Sequence, residues 1–459
     1  MYGRIKNVHF VGIGGIGMSG IAEVLLNLGY GVTGSDIKST ETVDRLKRLG
    51  SQFTLGHRIE NVSSADVVVI SSAIKEDNPE VIAAKSRNIP VIRRAEMLSE
   101  LMRLKYGIAV AGSHGKTTTT SMISSVLAYG GFDPTIVVGG RVKSLGTNAH
   151  LGNGKFMVVE ADESDGSFLM LSPVIAVVTN IDEEHLDHYQ SIDTLEHAFS
   201  EFLNKVPFYG LAVICLDSER ARSIIPRFKK RVVTYGFSDG SEFRAEDVSV
   251  SGFQTDFKVL FKNSLLGSVA LSVPGRHNAQ NALASFAVGM ELGMSFEDVK
   301  DGLHEFKGID RRIQLKGEIN GVRIIDDYAH HPEEIRVTLN TIKESFSSRV
   351  ISVFQPHRFT RTSILFDEFV RVLSGVLGDV DMLFLLDIYP AGEKPIEGVS
   401  SARLARAIKD RGNKNVSYVK NAEGVVHNVT SIIRPGDVVV TIGAGNVWMI
   451  GEQLLKELS

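Results

Sequence analysis

The sequence predicts an α/β protein of three domains: a Rossmann-like N-terminal domain, a central P-loop ATPase-type parallel sheet with added antiparallel strands, and a C-terminal Rossmann-like domain. Three observations carry this reading. Short apolar runs at 8–11, 108–111 and 437–442 each lead into a glycine-bearing turn, the pattern of parallel strands whose C-terminal ends face ligands. The length of 459 residues exceeds what one core holds and suggests about three domains. Residues 231–272 alternate apolar and polar with Gly and Ser turns, as antiparallel strands do. The expected boundaries are 1–105, 106–308 and 309–459.

Bulk properties exclude several classes. A net charge of −4 and the lack of a basic tail give no global attraction to nucleic acid or to an anionic membrane, so a phosphate ligand must be gripped locally. The chain has no run of about 20 apolar residues, and its N-terminus reads as a strand rather than a signal peptide. No nucleic acid partner and no membrane insertion are expected. Cys215 is the only cysteine, which rules out an intrachain disulfide and a thiolate metal cluster and suits a reducing cytoplasm. The sequence leaves the oligomeric state open.

In the first segment, strand residues 8–11 run into Gly12, Gly14 and Gly17 at dinucleotide-fold spacing. Asp36 ends the next strand about 20 residues on, where a ribose-binding carboxylate belongs. Alone this spacing predicts NAD, and a dehydrogenase follows from it; but any diphosphate, including that of a UDP-sugar, suits such a helix start. Ser71 and Ser72 end a further buried strand and are either crevice residues or loop serines. His57 lies in a short Gly-His-Arg loop and reads by itself as a surface histidine.

The middle segment holds the sharpest signal, Val110-Ala-Gly-Ser-His-Gly-Lys-Thr-Thr-Thr119. A buried strand turns through Gly112, Ser113, His114 and Gly115 into a helix whose N–H groups suit phosphate, with Lys116 as a mobile cation and Thr117 as a magnesium-binding hydroxyl. The full Walker pattern would place glycine where Val110 stands. Glu160 ends the apolar run 156–160 and is placed to hold Mg²⁺, whereas Asp162, Glu163 and Asp165 read better as an exposed acidic loop. His185 follows another strand end and is a candidate metal neighbour. His277, Asn278 and Asn281 crowd a helix start, as caps or as partners of a purine and its ribose.

In the last segment, Arg311 and Arg312 follow Gly308, and the run 322–332 delivers two aspartates, a tyrosine and two histidines into one loop. Core packing does not require that density of chemistry. At the next strand end Arg358 and Arg361 stand three apart and suit bidentate recognition of a carboxylate.

Taken in order, Gly-Ile-Gly-Gly-Ile-Gly-Met-Ser-Gly, Gly-Ser-His-Gly-Lys-Thr-Thr-Thr, Glu-Ala-Asp-Glu-Ser-Asp, Pro-Gly-Arg-His-Asn-Ala-Gln-Asn-Ala, Asp-Asp-Tyr-Ala-His-His-Pro and Phe-Gln-Pro-His-Arg-Phe-Thr-Arg resemble the Mur ligase family across all three segments. That family shows the short Gly-x-x-Gly-Lys-Thr form. The resemblance implies an ATP- and Mg²⁺-dependent ligase that joins L-alanine to the carboxylate of UDP-N-acetylmuramate through an acyl phosphate. A ligase that adds a ready-made peptide to the same UDP-sugar is the alternative. The resemblance assigns Gly14, Gly15, Ile16, Gly17, Met18, Ser19, Asp36, His57, Ser71 and Ser72 to the UDP-sugar. To ATP it gives Gly112 to Thr118, His277, Asn278, Asn281, Arg312 and Asp327, with Thr117, Glu160 and His185 as metal residues. Tyr328, His330, Arg358 and Arg361 would form the amino-acid pocket. Lys116, Glu160, His185, Arg312 and His330 would carry the chemistry. Where several family members have a lysine in the last-domain loop, this chain has Ala329.

Overall fold

The computed structural model describes residues 5–71, 73–142, 147–378 and 381–459. The first sheet contains β1 (Asn7–Val11), β2 (Gly31–Asp36), β3 (Gln52–Leu55), β4 (Val67–Ile70) and β5 (Val91–Arg93), in the order β3-β2-β1-β4-β5 with every pair parallel. Chain order reverses between β1 and β4, and a crevice opens there beyond the strand ends. The glycine turn after β1 faces that crevice.

The second sheet contains β6 (Tyr106–Ala111), β7 (Thr135–Val142), β8 (Thr147–His150), β9 (Phe156–Glu160), β10 (Ile175–Val178), β11 (Leu211–Cys215), β12 (Val232–Gly236), β13 (Phe243–Ser251), β14 (Gln254–Phe261) and β15 (Ser264–Leu271). Their order is β15-β14-β13-β12-β11-β10-β6-β9-β7-β8. The ladder is parallel from β7 to β12, and β8 returns antiparallel along β7. The run expected to be antiparallel throughout starts differently: β12 lies parallel to β11 and to the beginning of β13. After Gly236 the Asp217 carboxylate accepts from the N–H groups of Phe237 and Ser238, both at 2.7 Å, which fixes the loop that brings the chain back in the same direction. Two-residue links at 252–253 and 262–263 then join β13, β14 and β15, as hairpins require.

The third sheet contains β16 (Gln314–Ile319), β17 (Val322–Asp327), β18 (Val350–Phe354), β19 (Met382–Leu385), β20 (Val416–Tyr418) and β21 (Val438–Ile442), in the order β16-β17-β21-β18-β19-β20. Only β16 runs antiparallel to its neighbour. Alternate residues of β17 and β18 feed two cores, Ile325 and Phe354 on one face, Ile324 and Val353 on the other, because helices cover both faces.

These sheets fall into two compact units. One comprises 1–248, 256–271 and 277–307, and the other 249–255, 272–276 and 308–459. Within the first unit the first two sheets share a single core, to which Phe10, Ile21 and Leu25 contribute from one side and Val159, Phe199 and Phe202 from the other. The helix Ile16–Asn27 makes this possible. A Cβ on Gly20 would stand 3.2 Å from Ala149 Cβ and 3.6 Å from Val137, so bare backbone lets the helix settle on β7 and β8. Cys215 is buried at the end of β11, where burial pushes its thiol up to about 12. Among the described residues, no helix is long and apolar enough to cross a membrane.

Candidate active site

β6 is buried along residues 108–111 and delivers Gly112 into the glycine-bearing loop 112–115. Gly112 has φ +139°, and a side chain there would overlap the Thr179 hydroxyl. Gly115 has φ +77°, and a Cβ would come 2.8 Å from Asn281 Oδ1. Both glycines are therefore required by backbone conformation and by close neighbours. The loop is braced from the end of β10. Asn180 O accepts from Ser113 N–H (3.1 Å), Asn180 Oδ1 accepts from His114 N–H (2.8 Å), and Thr179 Oγ1 donates to His114 O (2.6 Å). The His114 ring lies 3.2 Å from Asp182 Oδ2.

Lys116 opens the helix Lys116–Tyr129, and its ammonium donates to Gly112 O (2.5 Å), Ser113 O (3.2 Å) and Glu163 Oε1 (2.7 Å). Burial opposes its charge, but Glu163 more than compensates and raises its pKa. Glu163 corrects the sequence reading, which set it in an exposed loop: only 1% of its side chain is accessible. After Ala161 the chain folds under Lys116, and burial pushes this carboxyl up to about 7 against the pull of the ammonium. Its Oε2 is buried without a hydrogen-bond partner. His185, at φ +58°, places Nε2 3.6 Å from Glu163 Oε1, so Lys116, Glu163 and His185 form one group.

Glu160 ends β9 in register with Val110, and its Oε2 accepts from Gly139 N–H at 2.7 Å. Thr117 and Thr118 lie half-buried in the first turn of the helix. Asn281 donates to Asn278 Oδ1 at 3.4 Å, both amides being buried, and His277 sits half-buried beside them at the start of the helix Arg276–Glu291. Gly115 and Asn281 thus stand side by side. No group of three or more His, Cys, Asp or Glu side chains is already gathered for a metal among the described residues. The Thr117 hydroxyl and Glu160 carboxylate are nevertheless hard oxygen donors at a helix start and a strand end, which fits an ion that keeps most of its waters.

In the first sheet, Ser35 O accepts from the N–H groups of Gly12 (2.8 Å) and Ile13 (3.0 Å), and Asp36 Oδ2 accepts from Gly14 N–H (3.0 Å). The carboxylate expected at a ribose thus braces the glycine turn itself. Gly15 precedes the helix that Ile16 opens, and Gly17 is its second residue. Met18 and Ser19 turn into the core, so any contact they make to a ligand is not through exposed side chains. Ser71 Oγ lies 3.6 Å from where a Gly12 Cβ would be, bordering the turn, and Ser72 lies outside the described residues.

His57 is not a simple surface residue, because its Nδ1 stands 2.9 Å from Ser35 Oγ and 3.3 Å from Glu80 Oε2. Glu80 was missed by sequence reasoning. An acidic residue after Asn-Pro reads as an ordinary helix-start charge, yet this one is wholly buried and accepts from Ser35 Oγ (2.6 Å), Arg58 N–H (3.3 Å) and the Asn61 amide. Burial would raise its pKa, but His9, Ser35 and Asn61 outweigh that and hold it at about 2.

The second unit gathers a separate set of residues. Asp327 ends β17, buried, with Oδ2 accepting from Ile313 N–H (2.7 Å) and Oδ1 from Ala329 N–H (2.8 Å) and Thr338 Oγ1 (3.1 Å). Burial pushes it up to about 6 despite Arg312. Its carboxylate thus shapes the loop from within. Arg312 Nη1 lies 3.5 Å from Glu334 Oε1, and its guanidinium stands 5.7 Å from the centre of the Tyr328 ring. His330 Nδ1 faces Tyr328 O at 3.1 Å, and burial lowers its pKa, helped by Arg361 against Glu334. Its ring is 6.0 Å from that of His357, which stacks on Tyr389 at 5.5 Å and contacts Arg361 Nη1 at 3.2 Å. Burial, then Arg361 and His330, depress His357 to about 4. Arg358, at φ +71°, precedes the helix Phe359–Ile364 that carries Arg361. His330, Arg358 and Arg361 therefore gather around His357 and Tyr389, two residues outside the expected set, with Tyr328 beside His330.

Comparison with known proteins matches three family models in chain order. Residues 7–106 match the Mur ligase family, catalytic domain; 110–289 the Mur ligase middle domain; and 311–445 the Mur ligase, glutamate ligase domain. The UDP-N-acetylmuramate–L-alanine ligase of Geotalea uraniireducens is 57% identical over 458 residues, covering 100% of this chain and 99% of that protein. Among solved structures, the UDP-N-acetylmuramate-alanine ligase of Thermotoga maritima superposes with a TM-score of 0.83 at 29% identity, covering 98% of each chain. A murein peptide ligase of Psychrobacter arcticus gives 0.71 at 23% identity, over 99% of this chain and 98% of that one, a likeness of fold.

Proposed function

The chain belongs to the Mur ligase family, and from that premise we infer that it is an ATP-dependent ligase joining the amine of L-alanine to the carboxylate of UDP-N-acetylmuramate, in peptidoglycan precursor synthesis. The observation that carries this reading is full-length likeness to an alanine-adding ligase together with a phosphate loop braced at Gly112, Gly115 and Lys116. A nicotinamide-dependent dehydrogenase would leave Lys116 and its acidic partner without a task.

In this reading the muramoyl carboxylate attacks the γ-phosphorus of ATP, forming an acyl phosphate and releasing ADP. The alanine amine then adds to the acyl carbon, and the tetrahedral adduct expels phosphate to leave the amide. Lys116 neutralises charge on the transferring group, because a fixed cation in a water-poor site favours the transition state without reorganisation. Thr117, Glu160 and His185 would hold Mg²⁺, which when bound screens the phosphate oxygens from the incoming carboxylate. Asn278 and Asn281 would hydrogen-bond the nucleotide. In the second unit, Arg358 and Arg361 suit the alanine carboxylate. With Tyr328 O accepting from Nδ1–H, neutral His330 keeps Nε2 free to accept a proton from the alanine ammonium.

A phosphate-release assay with UDP-N-acetylmuramate, ATP and a panel of amines tests the assignment. Release is expected with L-alanine and not with a tripeptide. Activity restricted to the tripeptide would overturn the choice of amine, and no ATP turnover with either would overturn the ligase.

A further inference from the structure

The helix Arg94–Met102 begins directly after β5, and its first side chain lies between two loops already described. On one side, a Cβ added to Gly17 would fall 2.9 Å from Arg94 Nη1 and 3.1 Å from its Cδ. The guanidinium therefore rests against the bare α-carbon of the second residue of the helix Ile16–Asn27. On the other side, Nη2 donates to Asp162 Oδ2 at 3.1 Å. Asp162 stands two residues past Glu160 and next to Glu163, the partner of Lys116. Its remaining oxygen accepts from Ser164 N–H (3.1 Å) and Ser164 Oγ (2.7 Å), so the carboxylate that aims Arg94 is itself fixed.

We propose that Arg94 is a positioning residue for the phosphates of the UDP-sugar, held by Asp162 so that its charge adds to the N–H groups at the start of the helix Ile16–Asn27. The inference rests on the reading that the first sheet takes a UDP-sugar. A helix start contributes roughly half a unit of positive charge, and a guanidinium beside it supplies a full unit with two edges, one for Asp162 and one for a phosphate oxygen. The same geometry explains the third glycine of the turn, since any side chain at Gly17 would push the guanidinium away.

A brace that merely joined the two loops would weaken every ligand of the first sheet alike, whereas a residue that reads phosphate favours the ligand with more of it. Calorimetric titration of the full-length protein with UDP and with UMP separates these cases. Arg94→Ala is expected to narrow the UDP-over-UMP affinity ratio about tenfold, the effect of losing one charge-assisted hydrogen bond. Arg94→Lys, which keeps the charge without the fork, should recover part of the ratio and carries the test if the alanine variant does not fold. An unchanged ratio in the variants, including a parallel loss of both affinities, overturns the proposal. Wild-type turnover of UDP-N-acetylmuramate, measured alongside, keeps the two claims apart: without it the reading falls and takes the inference with it, while turnover with an unchanged ratio removes the inference alone.

Discussion

Lys116 is surrounded by three acceptors, two of them carbonyls of its own loop, so its charge is held in place before any phosphate arrives. Lys116→Ala should lower kcat about 10²–10³-fold in the phosphate-release assay, the usual loss when one stabilising donor leaves a transition state. Glu80 gives a second prediction at this scale. Its pKa lies below the ordinary carboxylate value of 4.5 in the folded protein, so its contribution is full above that value and disappears as pH falls toward about 2. The shift corresponds to about 3 kcal/mol. Urea denaturation should show wild type losing an advantage over Glu80→Gln between pH 5 and 3; a constant gap would contradict it. The placement of Lys116 and Asn281 was legible in the sequence because it is local, a glycine turn and a helix start. Glu80 and Glu163 were not. The partners of Glu80 come from positions 9, 35, 57, 58 and 61, and only the folded chain brings them together.

At the scale of the element, the phosphate loop and its neighbours show how a turn is specified twice, by dihedral angle and by space. Gly112 and Gly131 both have positive φ, but a side chain at 112 would overlap Thr179 whereas at 131 nothing lies within 4 Å. Gly131→Ala should therefore cost about 1 kcal/mol, the penalty of the left-handed region alone, and retain activity. Gly112→Ala should cost several kcal/mol or abolish soluble expression, and thermal melting compares the two. The glycine turn after β1 was also legible, together with the carboxylate at Asp36. The contact of that carboxylate with the turn itself was not, because spacing alone does not show that it accepts from Gly14 N–H. Likewise the alternating pattern at 231–272 told of strands but not of β12 joining the parallel ladder, a choice made by the Asp217 loop contacts.

For the whole molecule, three sheets could be read from three strand-and-turn series, but the grouping into two units could not. That grouping depends on Gly20 admitting the helix Ile16–Asn27 onto β7 and β8, a contact between segments about 130 residues apart. The second unit also recruits chain from before residue 308. Phe253 packs edge-on against Phe346 at 5.0 Å, and Thr255 Oγ1 donates to Val273 O at 2.9 Å. A fragment starting at residue 308 lacks those pieces. It should melt several degrees below the same unit in the intact protein, since losing one aromatic cover costs about 1–2 kcal/mol and each kcal/mol moves a domain of this size by about 2–4 °C. Differential scanning calorimetry of the fragment and of Phe253→Ala in the full chain would measure this, and equal melting temperatures would refute it.

The solitary Cys215 has a practical consequence for such measurements. Its thiol is enclosed at the end of β11 and held almost wholly protonated at neutral pH, so it reacts slowly with maleimide or iodoacetamide probes. The native chain is thus a nearly blank background for labelling: a pair of cysteines placed on the surface, one in each unit, would carry a spin or fluorophore pair without interference, and distances between the units could be followed during turnover.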